Sequence, residues 1–240
     1  MRILNDLIAT LRFDAAVTDI RVGFYHTAVV TRCCGLAASL PRDVLKQDGH
    51  QIAAAGRLLD QNARELAQMA FSPRLLEAAI GLATINSLLE VDLAKCFEIN
   101  AAEIILEMGA GKAVAIIGHF PFVDRVRKHA RHLAVIENNP RPGDLDAQSA
   151  FRVLPNADVV AITGASLTNH TFEALIALCR SDAYVVMLGD TVPLSPVLFD
   201  HRIDAICGTR VVDPETALRC VSQGATFRQI EGTRRLTLQK

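Results

Sequence analysis

The chain has 240 residues, 50% of them hydrophobic, with 25 basic and 26 acidic side chains and a net charge of -1. That is enough for a sizeable core, in one large domain or two small ones. A balanced charge without a basic stripe argues against nucleic acid as a partner, and no run approaches the roughly 18 apolar residues of a membrane span.

Residues 1–12 carry a helical pattern. Their acids at Asp6 and Asp14 and the lack of a small-residue cleavage site read as a mature helix rather than a signal peptide. "DIRVGFYHTAVVTR", residues 19–32, is rich in β-branched and aromatic residues and reads as a strand or hairpin. "CCGLAASLP" follows as a short strand ended by Pro41. Helical patterns are expected from about His50 to Met69 and again from Ser72, with Ser72 as the cap and Pro73 at the first helical position. In the second of these, Ala78, Ala79, Gly81 and Ala83 call for close packing against another backbone. "NAAEIILEMGAG" closes this α+β segment as a third helix. Six cysteines, Cys33, Cys34, Cys96, Cys179, Cys207 and Cys220, form no C-x-x-C pair and read as reduced thiols of a cytoplasmic protein. Cys33 and Cys34 are adjacent, so on a strand they face opposite ways, which argues against a shared metal or a disulfide.

The texture changes after Lys112. "AVAIIG", "LAVIE", "ADVVAITG", "AYVVMLG" and "IDAICG" are short, continuous apolar runs separated by helix-compatible segments. Strands buried on both faces read this way. The alternation predicts right-handed βαβ units and an open, mostly parallel α/β sheet over residues 112–240, preceded by a smaller α+β domain over 1–108. Ligands of such sheets bind beyond the carboxyl ends of the strands. The loops of interest are therefore "GHFPF", "ENNPRPGD", "GASLTNHT", "GDTVPLSP" and "GTRVVDPE".

None of these loops is a dinucleotide fingerprint or a P-loop. Glu137 stands 19 residues after Gly118, close to the spacing at which an acid grips a ribose, with a solvated strand-end acid as the alternative. Thr163, Ser166, Thr168, Asn169 and Thr171 gather more hydroxyl and amide groups than one helix cap needs, which points to a polar ligand. His26, His119 and His170 are the candidates for acid–base work, and Asp190 and Asp213 follow strand ends, where either could orient a base. Asp213 before Pro214 equally suits a helix cap. No H-x-x-x-H or H-E-x-x-H spacing signals a protein-built zinc site, and without a G-x-S-x-G elbow Ser166 and Ser195 are weak nucleophiles.

"IGHFPF", "VIENNPRPGDLDAQSAFRVLPNADVVAITGASLTNHTFEAL", "PLSPVLFDHRIDAICGTRVVDPE" and "AAIGLATINSLL" together resemble the DUF364 family, labelled a heavy-metal chelation domain and commonly preceded by a DUF4213 domain. The resemblance covers nearly the whole chain. It implies an enolase N-terminal-like fold for the first part, a Rossmann-like fold for the second, and a site in the cleft between them. The role it implies is condensation or hydrolysis in making pterin-, flavin- or siderophore-like compounds, or the handling of heavy metals. The matching positions are Gly118, Pro121, Glu137, Pro140, Gly143, Asp144, Thr163, Gly164, Thr168, Asn169, Thr171, Pro193, Ser195, Pro196 and Asp213, with Gly35, Gly81 and Asn86 upstream. Two departures stand out: His170 replaces a usual Gly, and Asp190 and Thr191 fall where a "GPST"-like run is common.

The resulting expectation is a small-molecule enzyme. His119, His170 and Asp190 supply acid–base function. Glu137, Asn169, Thr163, Ser166 and Thr168 hold the ligand, joined by Gly118, Asn139, Gly164, Thr171, Thr191, Ser195 and Asn86. The alternatives are a carrier of a metal or metal chelate without turnover and a methyltransferase using S-adenosylmethionine. No cofactor or metal is specified by the sequence. A homo-oligomer is the expectation from the small apolar segment "AAIGLATINSLL", unless the domain interface buries it.

Overall fold

The computed structural model describes residues 1–240. Helix α1 (Arg2–Ala9) leads into an antiparallel sheet of β1 (Asp19–Val22), β2 (His26–Val30) and β3 (Cys34–Ala38). Three helices follow: α2 (Pro41–Val44), α3 (Ala63–Gln68) and α4 (Leu75–Leu88). The stretch from His50 to Met69, expected to be one helix, is mostly not helical. Gly49 and Gly56 take φ of +79° and +84°, which a helix cannot accommodate, and α3 starts only where Asn62 and Glu65 form a reciprocal capping box. Helix α4 begins at Leu75 rather than beside Ser72. The Ser72 hydroxyl instead accepts the Arg74 amide at 3.1 Å and donates to Glu77 at 2.5 Å.

The small residues of α4 bring backbones together as their size requires. A Cβ on Gly81 would lie 2.0 Å from the Ala70 amide nitrogen, and one on Gly35 of β3 would lie 2.1 Å from the Ala83 carbonyl oxygen. Eleven of the fourteen α4 residues are buried, so "AAIGLATINSLL" is consumed inside the chain.

The second part runs α5 (Ala101–Gly109), β4 (Ala113–Ile117), α6 (Val123–His129), β5 (His132–Glu137), β6 (Leu145–Asp146), α7 (Ala150–Val153) and β7 (Val159–Thr163). It continues with α8 (Ala165–Thr168), α9 (Phe172–Leu178), β8 (Tyr184–Leu188), β9 (Ala205–Val211), α10 (Pro214–Ser222) and β10 (Thr233–Gln239). All five apolar runs are strands. They form one open sheet with the order β10-β9-β8-β7-β4-β5-β6, parallel except for β10 against β9. Expectation and structure thus agree on an α/β fold with an open, mostly parallel sheet and a smaller α+β part before it. From β4 the chain winds outward one way through β5 and the other way through β7, so the switch point lies between β4 and β7.

Alternate residues of each strand face opposite layers. Val114 and Ile116 pack with Ile104 and Ile105 of α5 and Val123 and Val126 of α6. Ala115, Val160, Ile162 and Met187 face the other way, in a cluster of 35 buried residues that also holds Ile3, Leu7, Ile80 and Ile85. The first part of the chain is therefore one covering layer of the large sheet. No helix is long and apolar enough to cross a membrane.

Candidate functional site

A cavity of about 580 Å³ opens beyond the carboxyl ends of β4, β7, β8 and β9, on the face covered by α5. Its position at the switch point follows from topology: diverging connections on either side of β4 leave a crevice that no helix fills. The loop after β4 contributes His119, Phe120 and Phe122, β7 contributes Thr163, the turn after β8 contributes Asp190, and β9 contributes Cys207, Gly208 and Thr209. The antiparallel strand β10 begins at the same edge, with Arg235 opposite Thr209. His26 at the start of β2 and residues 99–102 complete the wall.

His119 is tightly positioned. Gly118, at φ +106°, turns the chain out of β4, and Glu137 at the end of β5 accepts the His119 backbone amide at 2.8 Å. The other Glu137 oxygen accepts the Asn138 amide at 3.1 Å, so this acid fixes loops at the sheet edge. The Asp144 carboxylate receives the His119 ring at Nδ1, at 2.8 Å. Asp144 reaches it through a tight turn over Arg141–Asp144, whose Pro142-Gly143 pair, with Gly143 at φ +93°, has the residues of a type II turn. Burial works against the Asp144 charge, but the Arg141 amide and the His119 ring outweigh it and hold the carboxyl below its ordinary pKa. An ionised Asp144 can only accept, so Nδ1 carries the proton, leaving Nε2, which has no protein partner, as the open nitrogen.

A second histidine–carboxylate pair lies on the same wall. His26 Nε2 meets the Asp190 carboxylate, and His26 Nδ1 donates to the Ala225 carbonyl at 3.3 Å. Both side chains are nearly buried. Burial disfavours the imidazolium, yet the Asp190 charge and hydrogen bond, with the Ala225 carbonyl, overcome it and raise the His26 pKa. With both ring nitrogens engaged, His26 is a fixed part of the wall rather than an open base. Cys207 is a thiol: burial pushes its pKa up to about 11 although Thr237 donates to its sulfur at 3.4 Å.

Of the residues singled out in the sequence, His26, His119, Pro121, Thr163, Asp190 and Cys207 line this cavity, and Gly118, Glu137 and Asp144 support it from behind. The other candidate ligand residues lie elsewhere. His170, at φ +60°, hydrogen-bonds the Ala70 carbonyl through Nε2 at 2.8 Å. Asn169 accepts the amide and hydroxyl of Thr171 at 3.2 and 2.7 Å in a local cap. Ser166 and Thr168 are buried in α8, which packs against α4, and neither hydroxyl finds a hydrogen-bond partner. Asn86 donates to the carbonyls of Leu36 and Thr191, and the Thr191 hydroxyl accepts the Ala38 amide, so both bind the two parts together. Asn139 bridges to Asp43 and Lys46 beside α2. Gly164 lies against Val192, and Ser195 is buried. Asp213 caps α10 through the Thr216 amide at 3.2 Å. Sequence reasoning did not assign roles to Asp144 or to the arginines of β10 and the 226–228 segment. The PG turn that delivers Asp144 was the available signal.

Fold and cavity define an α/β protein with an open crevice at the sheet's switch point, walled by two histidine–carboxylate pairs. The chain belongs to the DUF364 family: the family model, described as "putative heavy-metal chelation", matches residues 100–240, and that of DUF4213, with the same description, matches residues 4–89. It is similar to an uncharacterized protein of Methanocaldococcus jannaschii, 29% identical over 169 residues, a match spanning 67% of this chain and 64% of that protein. The crystal structure of a DUF364 protein of unknown function from Desulfitobacterium hafniense superposes with a TM-score of 0.89 at 25% identity, covering 100% of this chain and 98% of the other. A DUF364 protein of unknown function from Pyrococcus horikoshii gives 0.86 at 22% identity over the same shares, a likeness of fold. The donor set does not fit a metal centre built by the protein alone: nowhere do three His, Cys, Asp or Glu side chains converge to hold an ion.

Proposed function

We propose that the cavity binds a small polar molecule and carries out general acid–base chemistry on it, of the hydrolytic or condensing kind, with His119 as the group that exchanges the proton. The observation that carries this reading is the His119–Asp144 pair, which presents an open Nε2 to a ligand-sized cavity. In the hydrolytic direction Nε2 takes a proton from water as the water attacks, and returns it to the leaving group. Asp144 keeps the tautomer and stabilises the imidazolium that forms. Asp190, neutralised by His26, offers a carboxylate to a ligand N–H. Phe120 and Phe122, stacked with centroids 5.3 Å apart, suit a flat ring, which favours pterin- or flavin-like compounds among the substrates considered.

The test is to assay His119→Gln and Asp144→Asn against pterin and flavin esters and amides. Turnover is expected to fall about 10²–10⁴-fold in His119→Gln with ligand affinity retained. Unchanged turnover in His119→Gln removes the assignment. A second reading, a carrier of a metal chelate, is favoured by the family description together with the missing three-donor cluster, because the metal then arrives inside its own organic ligand. Elemental analysis of untagged protein decides it: metal that leaves with a small organic molecule on denaturation supports the carrier, and metal-free protein with turnover excludes it.

A further inference from the structure

The charges on the cavity wall do not cancel. Asp190 is matched by His26, and Arg125 by Glu103 at 2.9 Å. Arg228 and Arg235 also line the cavity, and neither has an acidic partner. Arg235 is held in place by stacking, its guanidinium carbon 4.7 Å from the centroid of the Phe227 ring. With Arg235 on β10 and Arg228 on the 226–228 segment, two uncompensated cations line one concavity. Both arginines are solvent-exposed, so salt screens their field, and guanidinium groups match the planar oxygen pairs of carboxylate and phosphate.

We infer that the cavity's ligand is an anion, its carboxylate or phosphate held between Arg228 and Arg235. The inference rests on the cavity being a ligand site, as proposed above, and adds the charge of what enters it. The arginines recognise and orient the ligand; they lie on the β10 side of the cavity, while His119 follows β4.

Two matched pairs of probes test it on the full chain: riboflavin against flavin mononucleotide, which differ by a phosphate, and pterin against pterin-6-carboxylate, which differ by a carboxylate. In each pair that binds, the charged member should bind at least about tenfold more tightly, a gain that shrinks as salt is raised. The Arg228→Gln/Arg235→Gln double variant should lose that preference and keep the affinity for the neutral member. Arg235→Lys, which keeps the charge but not the planar fork, should fall between. A preference in the first pair alone identifies phosphate, and in the second alone carboxylate. Equal affinities within both pairs overturn the inference. So does a preference that survives the double variant, and so does failure of all four probes together with no thermal stabilisation by inorganic pyrophosphate. His119→Gln separates this from the catalytic reading: normal turnover in that variant, with the anion preference intact, sinks the acid–base role and leaves the anion site standing.

Discussion

His26 and His119 look alike in sequence and differ in every physical respect. His119 has one ring nitrogen tied and one open; His26 has both tied and sits buried. The difference is measurable through pH. The His26 pKa is raised in the folded chain, so its contribution to stability is fully present below the unfolded value of about 6.5 and is lost as pH rises through the folded value. Urea midpoints of wild type and His26→Gln, followed from pH 5 to 9, should converge as the pH climbs past that point. At pH 5.5 the variant should be less stable by about 3 kcal/mol, the lower end for breaking a buried pair, because Asp190 keeps a face on the cavity. A gap that stays constant with pH contradicts an imidazolium at position 26. Only part of this was readable in the chain. A strand-end His and Asp can be found from apolar runs ending in Gly-His and Gly-Asp, but the burial of His26 and its pairing with Asp190, 164 positions away, are products of tertiary packing.

At the scale of elements, the parallel strands were the most legible because burial on both faces leaves an unbroken apolar signature. Strand β10 was missed for the converse reason. "TRRLTLQ" is charged at its start and lies at the sheet edge, where only Leu236, Thr237 and Leu238 are buried. The polar cluster after β7 reads as a ligand loop, yet apart from Thr163 it lies away from the cavity: Asn169 holds Thr171, and α8 packs against α4 with the Ser166 and Thr168 hydroxyls buried and without partners. Helix α4 is the element on which both halves lean, and Gly81 is its least replaceable position. Gly81→Ala should cost at least about 4 kcal/mol, because its methyl would collide with the Ala70 backbone rather than with a movable side chain. Gly143→Ala provides the contrast. Its site is open but has φ of +93°, so the cost is strain alone, about 1–2 kcal/mol. Urea unfolding of both variants should rank them in that order; equal losses would mean that α4 can shift away from the 69–71 turn.

Two matching family models and a change of texture near residue 112 invite a picture of two separable domains, yet one hydrophobic core runs through both. The largest core cluster runs without interruption from Ile3 and Leu7, through Ile80 and Ile85, to Ile162, Met187 and Ile206. Polar contacts reinforce it from several directions. The Ile3 amide donates to Glu173 at 3.2 Å, His201 meets Asp6 at 3.0 Å, and Asn86 joins the carbonyls of β3 and of Thr191. An interface made of core side chains does not open independently of the parts it joins, whereas domains linked through small polar interfaces do. The chain carries its own reporters: it has no tryptophan and two tyrosines, Tyr25 beside the first sheet and Tyr184 on β8. In Tyr184→Phe the fluorescence reports the first part, and in Tyr25→Phe it reports the large sheet. Both signals and far-UV circular dichroism should share one urea midpoint in each variant. Midpoints separated by more than about 0.5 M, or roughly 1 kcal/mol at ordinary urea slopes, would show the first part releasing on its own. That release would carry His26 away from Asp190 and open the cavity wall.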